Sequence, residues 1–210
     1  MSASVDILRR DILARALTLA PFEGWTTAML EKASPDALAL RRTFPGGVIE
    51  ALDFLTREND RKMLEAVQAY HFPTMKVRER IRTCVKARLE QELPHREAVR
   101  RAVAHLALPQ NVFYATQFLW RTADEIWHAG GDASTDFNWY TKRWLLTKVY
   151  AATLLYWLDD KSEDRQATWE FLDRRIANVL SVGKWIGRGK EQAGKLGDFL
   201  TERMRKAANY

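Results

Sequence analysis

Apolar side chains recur at intervals of three and four along this sequence, and no stretch alternates apolar with polar residues as a half-buried strand would. The first predicted helix runs from Val5 to Ala20, with Ile12, Leu13, Ala16, Leu17 and Ala20 on one face and Pro21 as its stop. Thr26 caps a short second helix reaching Lys32. Ser34-Pro35 supplies the cap and first position of a third, which ends near Phe44. Phe44-Pro45-Gly46-Gly47 reads as a turn. Longer helices follow over Val48–Tyr70, Thr74–Leu93, His95–Leu108 and Asn111–Ala129, the last stopped by Gly130-Gly131. Asp136 caps a helix to Asp159 that is apolar nearly all round, which predicts a central position. Another begins at Asp164 and reaches Val182. The expected class is all-α, with about nine or ten helices and no repeat of fixed period.

Composition adds a location for the charge. The 210 residues carry a net charge of +6. Most of it falls after Gly183, where Lys184, Arg188, Lys190, Lys195, Arg203, Arg205 and Lys206 face only Glu191, Asp198 and Glu202. In the same segment Ala193, Leu196, Leu200 and Met204 share a helical face, with Phe199 beside them. A basic amphipathic helix of this kind lies in a membrane interface, its apolar stripe among acyl chains and its cations near anionic head groups. Gly183, Gly187 and Gly189 would tether it. The expected membrane-binding residues are Lys190, Lys195, Leu196, Phe199, Leu200, Arg203 and Met204. Packing of this helix on its own domain or on a second subunit is the alternative.

Three parts are therefore expected: a three-helix start over 1–47, a helical body over 48–182, and a tether with amphipathic helix over 183–210. The single cysteine, Cys84, excludes an internal disulfide and any site built from several cysteine ligands. Asp6, Arg9, Arg10, Asp11 and Arg15 interrupt the first segment, so no secretory signal is expected. The most apolar run, Trp144 to Leu158, contains Lys148 and is shorter than the roughly 20 residues of a membrane span. A cytoplasmic protein whose membrane contact is peripheral fits these features.

Two short helices after a longer one also suggest a helix-turn-helix. The stretch Ile12 to Phe54 resembles the DNA-binding head of tetracycline-repressor (TetR) family regulators. That family reads the major groove with the N-terminal residues of its third helix. Here that helix offers Ala37, Leu38, Ala39 and Leu40, with Arg41 and Arg42 at the far end and Asp36 at its start. Such a surface suits neither base edges nor phosphates, so a scaffold without nucleic-acid binding is expected.

Catalytic patterns are sparse. Glu125-Ile-Trp-His128 places a carboxylate and an imidazole on one helix face, as di-iron bundles do, but the second copy, Glu92-Leu-Pro-His95, is broken by Pro94. The glycines Gly183, Gly187 and Gly189 follow no strand, against a nucleotide loop. Cys84 has no matching histidine nearby, and His71, His95, His105 and His128 form no metal spacing. Neither catalysis nor a cofactor is expected.

The aromatic second half is more informative. Seven of the eight tryptophans lie between residues 120 and 185. A helical core would account for them; so would a cavity for a hydrophobic ligand such as an isoprenoid. For the cavity the candidate lining residues are Val112, Phe113, Thr116, Leu119, Trp120, Leu145, Leu146, Val149 and Thr153, with Thr147 as a further polar group. Trp139 and Tyr140 are adjacent, so their side chains point about 100° apart on a helix and one of them reaches the surface. Beside Lys142 and Arg143, such a ring has the composition of an interface hot spot.

Asp124-Glu125-Ile-Trp127-His128, Gly131-Asp132 and Ser134-Thr135-Asp136-Phe137-Asn138-Trp139-Tyr140-Thr141 together resemble the signature of the COQ-nine family. The resemblance extends upstream to Ala20-Pro-Phe-x-Gly24-Trp25 and Phe44-Pro-Gly46, and downstream to Thr168-Trp169-x-Phe171-Leu172-x-x-Arg175-Ile176. It implies a TetR-like fold that does not act as a transcription factor. It also implies binding of isoprenoid lipids, ubiquinone intermediates included, and their presentation to a ubiquinone-pathway hydroxylase. The residues implied at the hydroxylase surface are Asp132, Trp139, Tyr140 and Arg143. Iron would belong to that partner, leaving Glu125 and His128 structural. The resemblance further implies a homodimer and, without a mitochondrial presequence, a bacterial protein working at the anionic surface of the inner membrane. A lipid-responsive TetR-like regulator stays open as the alternative.

Overall fold

The computed structural model describes residues 2–131 and 137–178. Among them are nine α-helices, a few single 3-10 turns and no strand. The helices are α1 (Ser2–Glu23), α2 (Thr27–Ala33), α3 (Ala37–Thr43), α4 (Gly47–Val67), α5 (Val77–Glu90), α6 (Arg96–Leu106), α7 (Val112–Ala129), α8 (Phe137–Asp159) and α9 (166–178).

Local chemistry sets most of the boundaries. Pro21 does not stop α1: it sits inside the last turn, where the Gly24 N–H returns to the Ala20 carbonyl at 2.9 Å. Proline removes one backbone donor there but leaves the following turn able to close. Thr26 caps α2 as expected, its hydroxyl accepting from the Met29 N–H. The cap of α3 is Asp36 rather than Ser34, because the Asp36 carboxylate reaches the Ala39 N–H at 2.7 Å while the Ser34 hydroxyl donates to the Asp36 carbonyl. Gly47 opens α4 with a φ of +64°, a conformation only glycine adopts without strain. After α7, Gly131 at φ +81° turns the chain away, and Arg80 donates to the Gly130 carbonyl at 3.1 Å.

Two apolar clusters hold the helices together. The first is built from α1 to α4, with Ala98 and Ala102 of α6 and Phe118 of α7. Buried Trp25 fastens it to α6 by donating its indole N–H to the Ala98 carbonyl at 2.9 Å. The second joins the end of α4 to α5, α7, α8 and α9 around the fully buried Trp157. Arg96, at the start of α6, closes the C-terminus of α8 by donating to the carbonyls of Trp157, Leu158 and Asp160, each at 2.7 Å. Those carbonyls are among the acceptors a helix end leaves unpaired. Asp160 then holds the link to α9, accepting from the Ser162 N–H and hydroxyl and from the Thr168 N–H and hydroxyl.

Candidate functional site

Five helices, α4 to α8, surround a cavity of about 270 Å³ that opens to the surface. Helix α4 contributes Leu52, Leu55 and Thr56; α6 contributes Val99, Ala102, Val103 and Leu106. Helix α7 lines it with Ala115, Phe118, Leu119 and Thr122, and α8 with Tyr150, Ala151, Leu154 and Leu155. The space exists because Ala102, Ala115 and Ala151 stand where longer side chains would meet. Exposed Ala107 and Leu155 mark the mouth, and buried Thr122, Tyr150, Arg88 and Glu92 mark the deep end.

That deep end is polar. The Arg88 guanidinium, 2% exposed, donates from Nε to Asp60 at 2.8 Å and from Nη1 to Glu92 at 2.6 Å. Asn59 also donates to Glu92, and the Thr122 hydroxyl lies 3.0 and 3.1 Å from the two Asp60 oxygens. Burial pushes the Asp60 carboxyl upward against the pull of Arg88. Buried charges survive only when paired and hydrogen-bonded, which this network achieves across α4, α5 and α7. Tyr150 completes the wall. It is 3% exposed, burial pushes its hydroxyl well above the ordinary phenol range, and it makes no hydrogen bond to another described residue.

Of the expected lining residues, Leu119 lies on this cavity. Val112, Phe113 and Thr116 are exposed on another side of α7. The Trp120 ring is half-buried, with its centroid 6.1 Å from that of Trp139. Leu145 is half-buried, and buried Leu146 and Val149 line a much smaller gap with Ile81 and Trp127. The hydroxyls of Thr116, Thr147 and Thr153 each bond a carbonyl one turn back in their own helix, which uses the donors assigned to a ligand.

The aromatic pair forms a separate feature at the start of α8. Tyr140 is 62% exposed and Trp139 half-buried, with ring centroids 4.7 Å apart in an edge-to-face arrangement. Buried Arg143 pairs with Asp124. Asp132 and the amphipathic-helix residues Lys190, Lys195, Leu196, Phe199, Leu200, Arg203 and Met204 lie outside the described residues.

Other candidates are quiet. Among the described residues no three His, Cys, Asp or Glu side chains gather closely enough to hold a metal ion. Burial, with Asp60 and Asp124 nearby, raises the Glu125 carboxyl. Cys84 is fully buried, and burial pushes its thiol up to about 12, leaving it protonated. On α3 the exposed N-terminal residues are Asp36, Ala37 and Leu38, and the Asp36 carboxylate is engaged in its cap.

Comparison with known proteins places the chain. A family model described as COQ9 matches residues 113–183. The Xenopus laevis protein "Ubiquinone biosynthesis protein COQ9-A, mitochondrial" is 30% identical over 218 residues, covering 98% of this chain and 67% of that protein. The Rattus norvegicus protein "Ubiquinone biosynthesis protein COQ9, mitochondrial" is 31% identical, covering 98% and 68%. The chain belongs to the COQ9 family. The COQ9 match spans α7 and α8, which supply much of the cavity wall and the whole aromatic pair. A solved TetR transcriptional regulator from Nitrosomonas europaea superposes with a TM-score of 0.64 at 22% identity, covering 82% of this chain and 97% of that one. The fold of this COQ9-family chain is thus TetR-like.

Sequence reasoning missed the polar deep end. Arg88 and Glu92 stand one turn apart, a spacing that reads as a solvated helix pair until the fold buries both. Tyr150 was visible only as one of many aromatics in an all-apolar helix.

Proposed function

We propose that this chain is a non-enzymatic lipid-binding protein of ubiquinone biosynthesis, which holds an isoprenoid quinone intermediate and presents it to a hydroxylase at the membrane. The observation that carries the reading is the apolar-walled cavity among α4 to α8, in a family whose curated members are named for ubiquinone biosynthesis. Pockets that take small ligands are lined mainly by apolar and aromatic groups with a few placed polar ones, as here. Among the described residues no helix is long and apolar enough to cross a membrane. Docking is assigned instead to the basic segment after Gly183, and the hydroxylase contact to Trp139, Tyr140 and Arg143. The protein is proposed to work as a homodimer.

Mass spectrometry of full-length protein purified without detergent tests the reading. A co-purifying isoprenoid is expected, and the absence of any lipid would overturn it. Liposome flotation tests the docking arm: truncation after Val182 is expected to abolish binding to anionic vesicles, and unchanged flotation would remove the tail from the mechanism.

A further inference from the structure

The cavity has two unlike ends. Its mouth is apolar, between Leu106 on α6 and Leu155 on α8, while its floor carries Tyr150, Arg88, Glu92 and Thr122. Three of these four are already committed: Arg88 to Asp60 and Glu92, Glu92 to Asn59, and Thr122 to Asp60. Tyr150 is not, although it is buried and on the cavity wall. Its hydroxyl oxygen is not among the fully buried polar atoms left without a partner, so it faces the cavity space, where a phenol can both donate and accept.

The charge balance restricts what could meet it. Arg88 faces two carboxylates, Asp60 and Glu92. The nearby Arg121 lies 3.9 Å from Asp60 and pairs with Asp53 at 2.6 Å. Asp53 also pairs with Arg57 at 2.8 Å, so three guanidiniums face three carboxylates and no positive charge is spare at the floor. An anionic head, whether phosphate or fatty carboxylate, would be desolvated there without compensation. A neutral oxygen would not.

Building on the lipid-binding reading, we propose that the cavity takes a neutral amphiphile head-first, a carbonyl or hydroxyl oxygen of its head hydrogen-bonding to the Tyr150 hydroxyl and its chain leaving between Leu106 and Leu155. The volume is at the small end for a ligand pocket, so it holds the head and first part of the chain, with the remainder outside. Tyr150 is thereby a specificity residue, reading the head rather than the chain.

Calorimetric titration of the full chain tests this with three probes: a benzoquinone bearing two isoprene units, the same tail as an oxygen-free hydrocarbon, and the same tail ending in a carboxylate. The wild type is expected to bind the quinone tightest. Tyr150→Phe is expected to lose about 3- to 10-fold for the quinone and nothing for the hydrocarbon. Its melting temperature should not fall, because no protein bond is removed. Ala115→Phe, which fills the cavity, should abolish binding of quinone and hydrocarbon alike. Unchanged quinone affinity in Tyr150→Phe, a lowered melting temperature, or a wild-type preference for the carboxylate would overturn the head-group inference while leaving lipid binding intact. No binding of any probe, in protein that also carries no lipid, would overturn both.

Discussion

The Arg143 guanidinium lies 3.9 Å from the centroid of the Trp139 ring while its Nε pairs with Asp124 across from α7. The cation over the ring fixes Trp139, and Trp139 in turn supports the exposed Tyr140 edge-to-face. The three residues separate a buried anchor from a surface tip.

That separation predicts two different outcomes. Tyr140→Ala should leave the melting temperature within about 2 °C, since surface substitutions have small effects, and should weaken capture of the proposed hydroxylase partner in a pull-down. Arg143→Ala should weaken capture and also destabilise the protein by about 1–3 kcal/mol, because its buried interactions vanish. Thermal unfolding beside the pull-down distinguishes them.

Removing Arg88 should be severe. Arg88→Met leaves Asp60 and Glu92 buried beside an apolar chain, and the expected loss is about 3–5 kcal/mol. Denaturant unfolding should show it, and adding Asp60→Asn and Glu92→Gln should recover most of the loss.

Asp160 predicts a pH dependence. Burial alone would raise its carboxyl, but hydrogen bonds from Ser162 and Thr168 overcome this and hold it well below the ordinary carboxylate range. A carboxylate shifted downward on folding contributes stability above its unfolded value, near pH 4, and loses it as the pH falls further. Asp160→Asn should therefore be less stable at pH 7 and should lose less stability than the wild type between about pH 4 and pH 2. Denaturant midpoints across that range check the difference.

Filling the cavity should trade binding for stability. Ala151→Leu places an apolar side chain in the empty volume and should stabilise the lipid-free protein by about 0.5–2 kcal/mol. The same substitution should prevent an isoprenoid from co-purifying, read by thermal unfolding and mass spectrometry together.

Helix existence was legible because periodicity reports which face is buried, and the TetR-like resemblance pointed to the fold. The cavity was not legible to the same degree. On α7 Leu119 belongs to both the expected and the observed lining, but the expected Phe113, Thr116 and Trp120 lie two residues from the observed Ala115, Phe118 and Thr122. Two residues are about 200° of helix rotation, so the large rings marked nearly the opposite face. Cavities are made where alanines meet, and an alanine carries little signal in a sequence. Threonines misled for a related reason: a hydroxyl on a helix finds its own backbone before it finds a ligand.

Helix α6 carries most of its long-range hydrogen bonds toward one end. Its first turns hold the Trp25 indole and, through Arg96, three carbonyls of the α8 terminus. Its last turn meets the next helix through a local bond, from the Asn111 amide to the His105 carbonyl. Its tip, at the cavity mouth, is held mainly by apolar packing of Ala102, Val103 and Leu106 on the two clusters. Widening that mouth would therefore cost apolar packing, while the hydrogen bonds at the root of α6 would stay intact.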